Sequence, residues 1–221
     1  MRFLITSLVI LSAVGQAQAN LITNGNFEAG NVGFYSGYST YPNAIGITEA
    51  TYQVMQNPSV GGNGAAKSYG DHTTGSGLMM AVNGAPTPNV VVWGEVVSVN
   101  QNTTYDFAAY LSSWYPANPA VLNFYVNDTA IGTLSASATT GQWELFFSTW
   151  SSGSSTSAKI EIVNQNTFVS GNDFALDDLY FGNPVFSNPS AVPEPSSFAL
   201  LCLGGIGAAN IAYRRRRAAA V

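Results

Sequence analysis

Few residues in this chain are equipped for chemistry. His72 is the only histidine, set between Asp71 and Thr73 in a glycine-flanked stretch, and Cys202 is the only cysteine. A Ser-His-Asp triad would have to use His72, yet no Gly-x-Ser-x-Gly elbow is present to offer a serine. One histidine and one distant cysteine do not make a His-x-x-His or Cys-cluster zinc site. Eleven carboxylates lie between residues 20 and 190. They make many possible glycosidase pairs, and nothing in their spacing picks out one. No catalytic residue is therefore expected. The aromatic side chains are better candidates. Tyr35, Tyr38 and Tyr41 lie three apart in a Gly/Ser/Thr/Pro stretch, and Trp114-Tyr115 precedes Pro116-Ala117-Asn118-Pro119. Flat rings on loops stack on sugar rings, which have apolar faces and polar edges, and equally plug the ends of a β-sandwich. These five residues are the expected ligand contacts.

The elements that must position them read as strands. Apolar or alternating runs cover Leu78 to Val82, Val90 to Val99, Tyr105 to Leu111, Val121 to Val126, Trp143 to Trp150, Ala158 to Val163 and Phe174 to Phe181. Ile131 to Leu134 can pair back on Val126 across Asn127-Asp128 as a hairpin. Gly, Asn, Ser and Thr fill the gaps, and no stretch between residues 20 and 190 holds a 3.6-residue period. Many short strands between turn signals predict an all-β sandwich or barrel over residues 20–182, followed by a linker over 183–192. This domain has no cysteine and hence no disulfide framework. Its eleven acids face only Lys67 and Lys159, a formal charge of −9. Such a charge does not seek nucleic acid or anionic lipid.

Both ends of the chain carry addressing signals. Met1-Arg2, the apolar run Phe3 to Val14 and Ala17-Gln18-Ala19 form a secretory signal peptide over residues 1–19, with Asn20 as the first mature residue. At the other end Pro193-Glu194-Pro195 is followed by an uncharged stretch over about 196–213 and then by Arg214, Arg215, Arg216 and Arg217. Eighteen residues of helix span roughly 27 Å, close to the hydrocarbon core of a bilayer. The arginines hold the C-terminal end in the cytoplasm and leave the domain outside it. The three-part order over 193–217 closely resembles the PEP-CTERM sorting tail. That resemblance implies recognition at the inner membrane by an exosortase, processing near Pro193-Glu194-Pro195, and delivery to the cell surface or a biofilm matrix.

A second resemblance covers the domain. Asn20 to Glu28 looks like the opening strand of jelly-roll carbohydrate-binding modules, and Phe174 to Phe181 like their closing strand. Gly70 to Thr73 and Gly171 to Phe174 are similar to stretches of secreted surface modules of this kind. The resemblance implies a jelly-roll β-sandwich whose first and last strands lie side by side. It also implies a structural calcium ion held by Glu28 and Asp177; of the other acids, Glu49 is a candidate third ligand. Calcium takes several oxygens at about 2.3–2.6 Å, and adjacent strand residues face opposite ways, so one ion uses only one of Asp177 and Asp178. The function expected from the whole sequence is that of a non-enzymatic exported protein with a binding role toward exopolysaccharide. The alternatives are a carbohydrate-active enzyme on the same scaffold and a purely structural surface protein.

Overall fold

Alternation drives most of the strands. In Val121–Val126 every second residue is buried (Leu122, Phe124, Val126), with half-buried Val121, Asn123 and Tyr125 between them. A computed structural model describes residues 19–41, 48–61 and 66–184 of the chain. The expected signal peptide, most of the linker and the sorting tail lie outside these residues. The strands are β1 (Ser39–Thr40), β2 (Thr51–Met55), β3 (Met79–Asn83), β4 (Val91–Ser98), β5 (Thr104–Ser113), β6 (Val121–Val126), β7 (Thr129–Ser135), β8 (Glu144–Ser151), β9 (Ser157–Asn164) and β10 (Asp173–Gly182). One four-residue helix, α1 (Pro58–Gly61), follows β2.

They form a jelly-roll β-sandwich. One sheet has the order β1-β2-β3-β10-β5-β8 and the other β4-β9-β6-β7. The inner faces meet in a core that includes Phe27, Trp93, Tyr105, Phe107, Leu111, Phe124, Ile160, Ile162, Phe174, Leu176 and Phe181. Phe124 and Phe146 stack with ring centroids 3.7 Å apart, which ties β6 to β8 across the sandwich. The β6–β7 hairpin forms as expected. Its turn residues Asn127 and Asp128 both take positive φ, 49° and 61°, which a tight hairpin turn requires and Asn and Asp tolerate.

The expected opening strand over residues 20–28 is absent. Asn24 and Phe27 take positive φ, and the segment coils through turns. It still lies beside the last strand. The Leu21 N–H donates to the Phe181 carbonyl at 2.7 Å. The Asn20 side chain donates to the Leu179 carbonyl and accepts from the Phe181 N–H. An asparagine amide thus does the pairing that a strand backbone would do. β2 was not expected from the sequence. It carries buried Tyr52 and half-buried Val54 on its inner side.

The two outer faces differ. On the six-stranded sheet, outward positions such as Met79, Ala81, Ser112, Ala175 and Asp177 are fully buried. The segment 66–78 covers them, and Ala66, Tyr69 and Tyr115 pack on Met55, Ala81 and Trp114. On the four-stranded sheet the outward side chains of Val96 and Thr133 are exposed, and those of Asn123, Tyr125, Lys159 and Glu161 are half-buried. Among the described residues, this second face is the less covered of the two.

Candidate functional site

The five expected aromatic contacts do not come together. Tyr38 is buried in the core, and its hydroxyl accepts the Ala85 N–H at 3.0 Å. Trp114 is 1% exposed, and its Nε1 donates to the Val82 carbonyl. Tyr115 is half-buried against the same apolar cluster. Tyr41 is half-buried, with its N–H on the Tyr52 carbonyl. Tyr35, 42% exposed, is the most exposed of the five. The reason is a bend. Tyr35 pairs with Gly94 on β4, and the chain then bends at Gly37 and Tyr38, which carries the Tyr38 ring into the core.

Tyr35 is held in place from three directions. Its N–H and carbonyl pair with those of Gly94 at 2.9 Å each, an isolated antiparallel bridge on β4. The outer end of its ring lies over Gly94, where a Cβ would collide with ring carbons and the hydroxyl. The hydroxyl donates to Glu161 Oε1 at 2.9 Å. Burial, followed by the bond to Glu161, pushes this phenol up to about 12, so it remains a donor at any physiological pH.

Register extends the site across the sheet. Gly94 sits opposite Glu161 on β9, and Glu161 sits opposite Tyr125 on β6. Glu161 Oε2 meets Lys159 Nζ at 3.1 Å, and that ammonium reaches Asp128 Oδ1 at 2.6 Å. Hydrogen bonds to Asp128 and then Glu161 push the lysine upward and keep it charged. The Asn123 amide donates to the Tyr125 hydroxyl at 3.3 Å, and Thr133 donates to Asn123 Oδ1 at 2.7 Å. The result is a strip with an aromatic platform at one end and hydroxyl, amide and carboxylate groups along it. Such a strip supplies stacking and directional hydrogen bonds. Sequence reasoning found Tyr35 and missed Glu161, Lys159, Tyr125 and Asn123. The alternation within β6 and β9 marks them as outward-facing, but nothing in it joins them to Tyr35.

The expected calcium ligands are engaged otherwise. Asp177 is fully buried and its Oδ2 accepts the His72 and Thr73 N–H groups, while Oδ1 accepts the Asp178 N–H. Glu28 Oε1 accepts the Leu78 N–H. Glu49 lies near Asp173 and carries a buried Oε2 with no hydrogen-bond partner. Among the described residues no three acidic, histidine or cysteine side chains group around a common point. Three backbone N–H groups donate to the Asp177 oxygens and one to Glu28 Oε1, and the described residues bring no third carboxylate to them. These carboxylates fasten loops instead. His72 completes the clasp, with Nδ1 at 2.6 Å from Asp178 Oδ2 and its ring stacked on Tyr110 at 3.5 Å.

Residues 191–217 match the PEP-CTERM protein-sorting motif. No curated protein matches the chain in sequence. Among solved structures, the arabinose-bound MgGH51 α-L-arabinofuranosidase is 12% identical with a TM-score of 0.51, over 79% of this chain and 28% of that one. TmCBM61 in complex with β-1,4-galactotriose is 13% identical with a TM-score of 0.48, over 75% and 99%. The CBM22-1 xylan-binding domain of Paenibacillus barcinonensis Xyn10C is 12% identical with a TM-score of 0.39, over 67% and 91%. The likeness to the first of these is to the fold.

Proposed function

We propose that this protein is an exported, non-enzymatic surface or matrix protein that binds polysaccharide on the outer face of its four-stranded sheet. The observation that carries the reading is the Tyr35 ring, pinned over Gly94 and tied to Glu161, with Tyr125, Asn123, Thr133 and Lys159 beside it. A fixed, exposed ring loses little freedom when a sugar stacks on it, which is the advantage of a preorganised site. The sorting motif over residues 191–217 supports handling by an exosortase at the inner membrane, with the domain outside the cytoplasm until the tail is processed.

The groups with chemistry on this face, and His72, are tied into fixed contacts, which favours binding over turnover there. The imidazole of His72 is stacked on Tyr110 and bonded to Asp178. Asp128 and Glu161 both serve one ammonium as counter-ions, and so do not supply the protonated acid of a glycosidase pair.

The test is affinity electrophoresis of the purified protein on a panel of polysaccharides, with reducing-sugar release measured alongside. Retardation that Tyr35→Ala weakens about tenfold or more, without product release, is the expected result. Release of product would replace the reading with an enzyme, and equal retardation of Tyr35→Ala would place the site elsewhere. For sorting, replacing Pro193-Glu194-Pro195 with alanines leaves full-length protein in the inner membrane. Unchanged processing would reduce the tail to a plain anchor.

A further inference from the structure

We infer that the face selects a neutral glycan chain over one bearing uronates; the inference rests on the binding reading above. Between residues 20 and 190 the only lysine or arginine side chains are Lys67 and Lys159, against eleven acids. The Lys67 ammonium donates to the Thr140 carbonyl, and Lys67 is not part of the strip. Lys159 is on the strip, but Asp128 at 2.6 Å and Glu161 at 3.1 Å already neutralise it. A sugar carboxylate arriving there would have to displace one of these counter-ions. It would also approach a domain with a formal charge of −9, whose field slows association and repels like charge.

The remaining groups suit hydroxyls. Asn123, Tyr125 and Thr133 each both donate and accept, as sugar hydroxyls do. The Asn123 to Tyr125 contact, at 3.3 Å, is long for a hydrogen bond and open to exchange for a ligand. The strip also has length. It crosses β4, β9, β6 and β7, and at about 4.8 Å between strands that is roughly 14 Å from first to last. A single monosaccharide leaves most of that unused, so a chain is the better occupant.

The experiment uses native gels loaded in parallel with neutral polymers (xylan, β-glucan, galactan) and with polyuronates (polygalacturonate, alginate), at low and high salt. The expected result is retardation by at least one neutral polymer, unchanged by salt and weakened by Tyr35→Ala, with no retardation by either polyuronate. Polyuronate binding as strong as or stronger than neutral binding, still lost in Tyr35→Ala, overturns the neutral preference and leaves the binding face standing. Retardation by none of the polymers overturns the binding reading and the inference with it.

Discussion

Two glycine and tyrosine positions separate binding from folding. Gly94 makes room for the Tyr35 ring, and a methyl group there has nowhere to go unless the ring leaves. Because the ring can swing into solvent, Gly94→Ala costs at the low end of about 1–3 kcal/mol for overpacking. Polysaccharide retardation should fall nearly as far as in Tyr35→Ala, while the Tm drops only slightly. A Gly94→Ala protein that binds like the wild type would remove Tyr35 as the platform. Tyr38 is the contrast. Truncating its buried ring and stranding the Ala85 N–H should cost about 3 kcal/mol or more. Chemical denaturation of Tyr38→Ala measures this, and a loss below about 1 kcal/mol would contradict its burial. The sequence suggested the tyrosine cluster but not which of its members was exposed. The three-residue interval cannot decide that, because the chain bends at Gly37 and Tyr38 and strand parity does not carry across the bend.

At the scale of elements, strands were legible and covers were not. Alternation in β5, β6 and β10 is a local signal and survives folding. The segment 66–78 is rich in Gly, Ser and Thr and reads as a loop. Its role in burying Met79, Ala81 and Trp114 depends on partners far away in sequence. Trp114 continues the outward parity of Tyr110 and Ser112, so an exposed ring was a fair expectation until that cover was placed over it. The clasp can be tested directly. Asp177→Ala removes the acceptor of the His72, Thr73 and Asp178 N–H groups. Hydrogen exchange at the His72 and Thr73 amides should then accelerate at least tenfold, while Phe107 and Phe124 in the core remain protected. Chelator should leave the Tm of the wild-type protein unchanged if the amide bonds to these carboxylates are what hold the clasp. A fall in Tm on adding chelator that calcium reverses would restore a metal.

For the molecule as a whole, buried acids set the pH dependence of stability. Burial, with Glu49 adding to it, pushes Asp173 up to about 8. Burial, with the charge of Asp178 beside it and amide donors opposing, pushes Asp177 up to about 6. A carboxyl whose folded value is raised holds its proton more tightly in the folded state, so folding is favoured at low pH. The contribution is full below the unfolded value near 3.8 and is lost as pH rises through about 6 for Asp177 and about 8 for Asp173. The Tm should therefore be higher at pH 5 than at pH 8.5. Each pK unit carries at most about 1.4 kcal/mol, and each kcal/mol moves the Tm of a domain this size by about 2–4 °C. Asp173→Asn, which carries no charge at any pH, should flatten the upper part of that slope. A wild-type Tm that rises between pH 5 and 8.5 would contradict both assignments.

β10 lies in the middle of its sheet, between β3 and β5, and runs directly into the residues that lead to the sorting tail. Its hydrogen bonds to both neighbours lie across the strand axis. A pull on the tail therefore loads them in shear, and many must give together before the strand slides. An edge strand pulled the same way would be held by one ladder instead of two. The C-terminal end of this domain is thus held by two ladders at once, which resists a pull along the strand.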